Sequence, residues 1–197
     1  IGINRTEEDL KNYPQMAGSG LGDYIYKDID ENGKIDAKDM LRSDLNTIPQ
    51  IVFGLTANFQ YKNFDLSILF QGQALARLHY TPLQAPLEGN ITKEMATQSW
   101  NLDRPDAKYG RINSTNNRKE STMWLRNASF LRLKNVELGY NFSGKALKTV
   151  GVKGLRLYIG GYNLFTISGL KEVDPETNNT AAYPLMRVFN TGVKVTF

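Results

Sequence analysis

Twelve consecutive residues, Asp28–Asp39 (DIDENGKIDAKD), carry the densest chemistry in the chain. Asp28, Asp30 and Asn32 offer side-chain oxygens at alternate positions, and Gly33 follows at the point where a tight loop must turn sharply. Lys34 can give its backbone carbonyl, Ile35 an apolar anchor, and Asp36 and Asp39 two further carboxylates. This is the order of ligands in an EF-hand-type calcium loop, at loop positions 1, 3, 5, 7, 9 and 12. A hard cation such as Ca2+ takes six to eight oxygens, and this spacing wraps them around one point. Asp39 stands where sensor loops carry Glu; its shorter arm reaches less far and suits monodentate ligation, as in dockerin-like loops. No pair of helices is expected to flank the loop, so bound calcium would serve structure rather than signalling. The same residues also suit an acidic, glycine-containing turn that holds no ion.

Nothing in the chain points to catalysis. His79 is the only histidine, and a lone histidine in a polar loop is usually a surface residue. There is no G-x-S-x-G, no phosphate-cradling loop and no histidine-containing metal cluster. Cysteine is absent, which removes disulfide, thiolate-metal and thiol-nucleophile chemistry. Tyr80, Trp100, Tyr109 and Trp124 fall in loop-like stretches, where they can stack on sugar rings, contact peptide, or pack the loops together. The formal charge of +4 does not make a nucleic-acid binder. Lys and Arg are scattered among acids, and Arg126, Arg132 and Lys134 are the nearest approach to a basic run.

The elements that must position these residues are strands. Hydrophobic residues make up 41% of the 197 and mean hydropathy is −0.42, with no apolar run near the ~18 residues of a membrane helix. Alternating strands dilute hydropathy, so a membrane barrel stays open. Arg187–Phe197 alternates strictly, with Phe189, Thr191, Val193, Val195 and Phe197 facing one way. Its length matches the roughly 9–11 residues of a transmembrane β-strand. Gln50–Tyr61 and Phe64–Gln73 repeat the pattern around a two-residue turn, Lys62-Asn63, and predict a long hairpin. Ser129–Phe142 changes phase between Leu133 and Val136, which predicts a bulge near Asn135. Gly154–Phe165 is a further strand, and Gly160-Gly161 marks a bend or close approach within it.

Between these strands, residues 1–49 read as loop and short elements, with a helix start capped by Thr6 and stopped at Tyr13-Pro14. Ala74–Thr122 is a long polar insertion with one helix expected over Thr92–Trp100, and Pro82, Pro86 and Pro105 break the rest. Ser143–Gly154 is a short turn or helical connection, and Ile167–Met186 a second loop. The segments expected are thus 1–49, 50–73, 74–122 and 123–197. The fold class is all-β, with long antiparallel strands of a transmembrane barrel. Five long strands are fewer than the about eight that close the smallest membrane barrel. The chain, which begins on Ile1, is therefore expected to be a mature, truncated or partial form.

Several blocks, in order, resemble the C-terminal part of the SusC/RagA family of TonB-dependent outer-membrane transporters. They are Gly22–Asp28 (GDYIYKD) with the acidic loop after it, and the hairpin from Phe53 to Gly72. They continue with Trp124–Tyr140 (WLRNASFLRLKNVELGY), Tyr162–Thr166 (YNLFT), Asp174-Pro175-Glu176 and Tyr183-Pro184. The resemblance implies a segment of a 22-stranded barrel with extracellular loops, in the cell outer membrane and in contact with its lipid. It implies a SusD-like surface lipoprotein as partner, energy from the TonB complex through parts outside this chain, and a glycan or peptide as substrate. The alternative is a soluble extracellular β-domain with a calcium-stabilised loop, acting as a binding or adhesion module.

Overall fold

The computed structural model describes residues 1–44, 46–80, 91–142, 144, 147, 149, 151–171, 173–177 and 182–197. Pro82 and Pro86 lie outside the described residues, as does much of the connection expected over Ser143–Gly154. The chain divides into two compact units, Ile1–Asp44 with Tyr80–Leu125, and Leu45–His79 with Arg126–Phe197.

In the first unit, strand β1 (Gly2–Ile3) pairs antiparallel with β2 (Tyr24–Ile25). Helix α1 (Glu7–Asn12) starts where Thr6 and Asp9 cap each other reciprocally: the Thr6 hydroxyl accepts from the Asp9 amide, and Asp9 accepts from the Thr6 amide. Its three first-turn acids complement the helix dipole. Tyr13, extended and followed by Pro14, ends it. Helix α2 (Lys93–Gln98) is capped by Thr92 within the span expected for it. Ile3, Tyr24, Met95, Tyr109 and Trp124 form one buried cluster. Complete burial of an apolar side chain such as Met95 contributes roughly 1.5–3 kcal/mol. Two stretches that read as separate loops therefore share a core. Tyr80, Tyr109 and Trp124 are buried as packing residues. Gly22 is required there: its φ is +83°, and a Cβ would run into the Trp100 ring.

The second unit is built on a five-stranded antiparallel sheet, ordered β3 (Ile51–Tyr61), β4 (Phe64–Ala74), β7 (Phe130–Phe142), β8 (Gly154–Ser168), β9 (Val188–Thr196). A short pair, β5 (Arg77–His79) with β6 (Leu125–Asn127), stands apart from it. His79 thus lies in a strand rather than in the loop expected. The 50–73 hairpin turns on Lys62-Asn63, with Tyr61 opposite Phe64 and Lys62 at φ 52°. Strand β8 runs on to Ser168, so the loop after it starts later than the alternation suggested.

The register decides which side chains share a face. Leu55, Phe70, Leu133 and Phe165 form one row, and Phe59, Leu66, Leu138, Ile159 and Thr191 another. Between them lie Ala57, Ile68, Val136, Gly161 and Phe189. The β4–β7 register shifts so that Lys134 has no partner, which brings Leu131 and Leu133 onto the same face as Val136, Leu138 and Tyr140. The expected bulge is therefore present, one residue before Asn135. β8 answers it at Asn163 and Leu164, where Asn163 takes φ 53°. The chain continues as strand through Gly160-Gly161, and the side chains of Asn190 and Leu164 occupy the space that Cβ atoms would need.

Candidate functional site

The apolar face of the sheet is its largest chemical feature. It runs without interruption across all five strands, yet its side chains stay open: Leu55 is 63% exposed, Phe59 59%, Ile159 56% and Val193 62%. Soluble monomers rarely leave contiguous apolar patches beyond a few hundred Å2 uncovered. Aromatic rings gather toward the Lys62-Asn63 end, where Phe64 meets Tyr140 at 4.7 Å and Tyr140 meets Phe142 at 4.6 Å, both edge-on. Strands of 11, 11, 13, 15 and 9 residues are long enough to cross a bilayer's hydrocarbon core. Among the described residues no helix is long and apolar enough to cross a membrane, which leaves strands untouched by the statement.

The opposite face is polar and charged. Near the Lys62-Asn63 end, Arg156 of β8 reaches both Asp65 of β4 and Glu137 of β7, with 2.8 Å to Glu137. Asn141 donates to the same Asp65 carboxylate at 2.7 Å. Gly139 makes this possible, because a Cβ there would overlap the Arg156 guanidinium and the Asp65 carboxylate. At the other end Arg132, 3% exposed, donates to the Thr166 hydroxyl at 2.8 Å, to Glu176 at 2.6 Å and to Asp174 at 2.7 Å. Lys134, the bulged residue, adds a second contact to Glu176 at 2.6 Å. Burial pushes the Asp174 carboxyl upward, but the Glu176 amide, Arg132 and the Leu185 amide outweigh it and hold the group below its usual value.

The connections 75–129 and 169–187 both join the sheet at this second end, since Gln73 faces Phe130 and Phe130 faces Ser168. The segment before Ile51 enters there too, opposite Ala74. The two-residue turn lies at the other end. The 143–153 connection lies at that end too, since Phe142 faces Leu155; longer connections on one side and shorter ones on the other is the arrangement of outer-membrane barrels.

In the first unit, the structure brings Asp28, Asp30 and Asp39 together, with one carboxylate oxygen of each lying within 4.8 Å of the others. Gly33 turns the loop at φ +80°. Asp28 accepts from the amides of Asn32 and Gly33, and the Asn32 side-chain oxygen from the Lys34 amide at 2.8 Å. Asp39 accepts from the amides of Ile29 and Asp36; these bonds, with that from Asp36 first, keep its pKa below the usual value. Asp36 stands outside the trio and caps the short 3-10 turn Ala37–Asp39. What the sequence did not reveal in this unit is its polar core. Buried Asp23 is paired with Arg111 at 2.7 Å, and the Asn117 amide takes the Tyr24 N–H at 2.7 Å and donates to the Gly22 carbonyl at 3.0 Å. These partners lie 88 to 95 residues apart, beyond the reach of any local pattern.

No protein-family model matches the chain. It is 28% identical to TonB-dependent receptor P3 of Formosa agariphila over 94% of its own length and 20% of that protein's. It is also 28% identical to TonB-dependent receptor SusC of Bacteroides thetaiotaomicron over 88% of its own length and 19% of that protein's. Among solved structures it superposes on the RagAB peptide importer in an "open-open" state with a TM-score of 0.72. That match has 22% identity and covers 100% of this chain and 21% of that one. A second structure of the RagAB peptide transporter gives a TM-score of 0.69 at 24% identity, over 84% of this chain and 19% of that chain. The chain spans about a fifth of the length of the relatives it matches. These relatives are receptors and transporters by name, not enzymes. The homologues of this chain are TonB-dependent receptors, SusC among them, and its own fold is a run of adjacent antiparallel strands from a β-barrel of that kind, not closed within this chain.

Proposed function

We propose that this chain is the C-terminal portion of an outer-membrane active transporter that imports glycans or peptides. In this reading a SusD-like surface lipoprotein is its partner and TonB supplies the energy. The observation that carries the reading is the uncovered apolar face, continuous across β3, β4, β7, β8 and β9, backed by a polar face of charged residues. The apolar face meets lipid and the polar face the lumen, and the long connections lie outside the cell. The similarity to SusC and to RagAB supports the same assignment. A soluble adhesion module is the poorer account, because it would need a second layer to cover that face.

The acidic loop fits a structural calcium ion. Asp28, Asp30 and Asp39 would hold it, with oxygens from Asn32, Lys34 and Asp36 as further donors of the hard-cation type. Bound there, the ion would offset the repulsion among the clustered carboxylates.

The test is fractionation and uptake with the full-length protein in its own cells. It is expected in detergent-extracted outer membrane, with uptake of an oligosaccharide or peptide mixture lost when TonB is deleted. Recovery in the soluble fraction without detergent would overturn the proposal.

A further inference from the structure

A shallow groove of about 260 Å3 lies on the apolar face near the Lys62-Asn63 end, lined by Phe64, Leu138, Tyr140, Leu157 and Ile159. The register explains its place. Phe64, Tyr140 and Leu157 form one row across β4, β7 and β8, and Leu138 and Ile159 belong to the next. Tyr140 stands edge-on to both Phe64 and Phe142, at 4.7 and 4.6 Å, which fixes one wall. The groove is smaller than the roughly 300–1,000 Å3 of a small-molecule pocket, and suits a stretch of flexible chain rather than a compact ligand. Its five side chains offer carbon and a single hydroxyl.

Two cations stand at the same end of the sheet. Lys62 occupies the turn between β3 and β4, and its ammonium rests over the Tyr61 ring at 5.3 Å. Tyr61 faces Phe64, so this ammonium lies beside the strand that borders the groove. Lys153 immediately precedes β8 and is held there by its amide, which donates to the Thr196 carbonyl at 2.8 Å. Both lysines are exposed, and neither makes an ion pair with the described residues. Asp65 and Glu137, the acids of this region, are taken up by Arg156 on the opposite face. An apolar groove that ends among unmatched cations is complementary to a hydrocarbon chain carrying an anionic head.

We infer that this groove holds an acyl chain of one anionic phospholipid, with its headgroup drawn to Lys62 and Lys153. The inference rests on the transporter reading, in which this face meets lipid. In that reading the turn end points away from the cell exterior, so the lipid belongs to the inner leaflet. Lipid elsewhere on the face exchanges freely, whereas here a single molecule stays.

The test uses the full-length protein in detergent and two acyl-spin-labelled probes with identical chains, phosphatidylglycerol and the zwitterionic phosphatidylcholine. An immobilised population is expected in the electron paramagnetic resonance spectrum, saturating near one lipid per protein. Phosphatidylglycerol should be favoured about fivefold or more, the order for one lysine beside a lipid surface. Lys62→Gln with Lys153→Gln should bring the two lipids to parity. Ile159→Trp, which fills the groove, should remove the immobilised population. Ile167→Trp, on the same face but outside the groove, should leave it. Equal binding of the two lipids, a preference that survives the lysine substitutions, or equal effects of the two Trp variants would overturn the site. So would loss of a dimer of the unlabelled protein on Ile159→Trp, which assigns the groove to a second copy. Failure of the transporter reading registers separately, as absence of the unsubstituted protein from the outer membrane.

Discussion

Arg132 holds the Asp174–Thr177 turn to the sheet through two carboxylates, and both it and Asp174 are almost wholly buried, at 3% and 6% exposure. Removing one member of a buried pair strands the other's charge, at a cost of about 3–5 kcal/mol. Arg132→Ala is expected to lower stability by that order, read from urea unfolding of the full-length protein in micelles. A loss below about 1 kcal/mol would mean that the pair is solvated. The Asp174 carboxyl is held below its ordinary pKa, so its contribution is present above the unfolded-state value and lost as pH falls through the folded one. Protection of the Glu176 and Leu185 amides, which bond to it, relative to their intrinsic exchange should accordingly fall only in acid. In the acidic loop, Asp28→Ala with Asp30→Ala is expected to abolish calcium uptake in calorimetry and to loosen the 20–45 segment to proteolysis. No heat of binding from the unsubstituted protein near millimolar calcium would remove the ion from the account.

At the scale of elements, the alternation of β4 separates two environments one residue apart. Ile68 sits in the middle row of the apolar face, with Val136 and Phe189, while Ser67 faces Glu137 on the polar side. Ile68→Arg should cost about 2–4 kcal/mol, the range for a cation at the bilayer midplane. Ser67→Arg should cost far less, and folding into lipid vesicles measures both. Equal penalties would mean that both faces meet the same medium. The strands were legible in the sequence because a period of two is local: each residue's face follows from its immediate neighbours. The phase change after Leu133 likewise announced the bulge at Lys134. The matching irregularity at Asn163 left no such mark, since Gly160-Gly161 drew attention to the wrong point of the strand. The core of Tyr24, Met95, Tyr109 and Trp124 was not legible either. Its members are spread over a hundred residues, on short elements and loops that share no common periodicity, and only tertiary folding brings them together. Of the six acidic-loop residues singled out, motif spacing located the carboxylate trio, but it did not reveal that Asp36 would turn to cap a 3-10 turn.

At the scale of the molecule, five strands leave the outer edges of β3 and β9 unpaired among the described residues. Exposed edges of this length invite further strands, and relatives about five times as long have the chain to supply them. The central claim is that one face of the sheet meets lipid and the other water. Nitroxide scanning of β4 in the full-length protein, reconstituted in vesicles, tests it most directly. Labels at Leu66, Ile68 and Phe70 should be open to oxygen and shielded from a nickel chelate, while those at Ser67, Leu69 and Gln71 should show the reverse, with a period of two. Uniform access of the nickel chelate to all six positions would contradict the account.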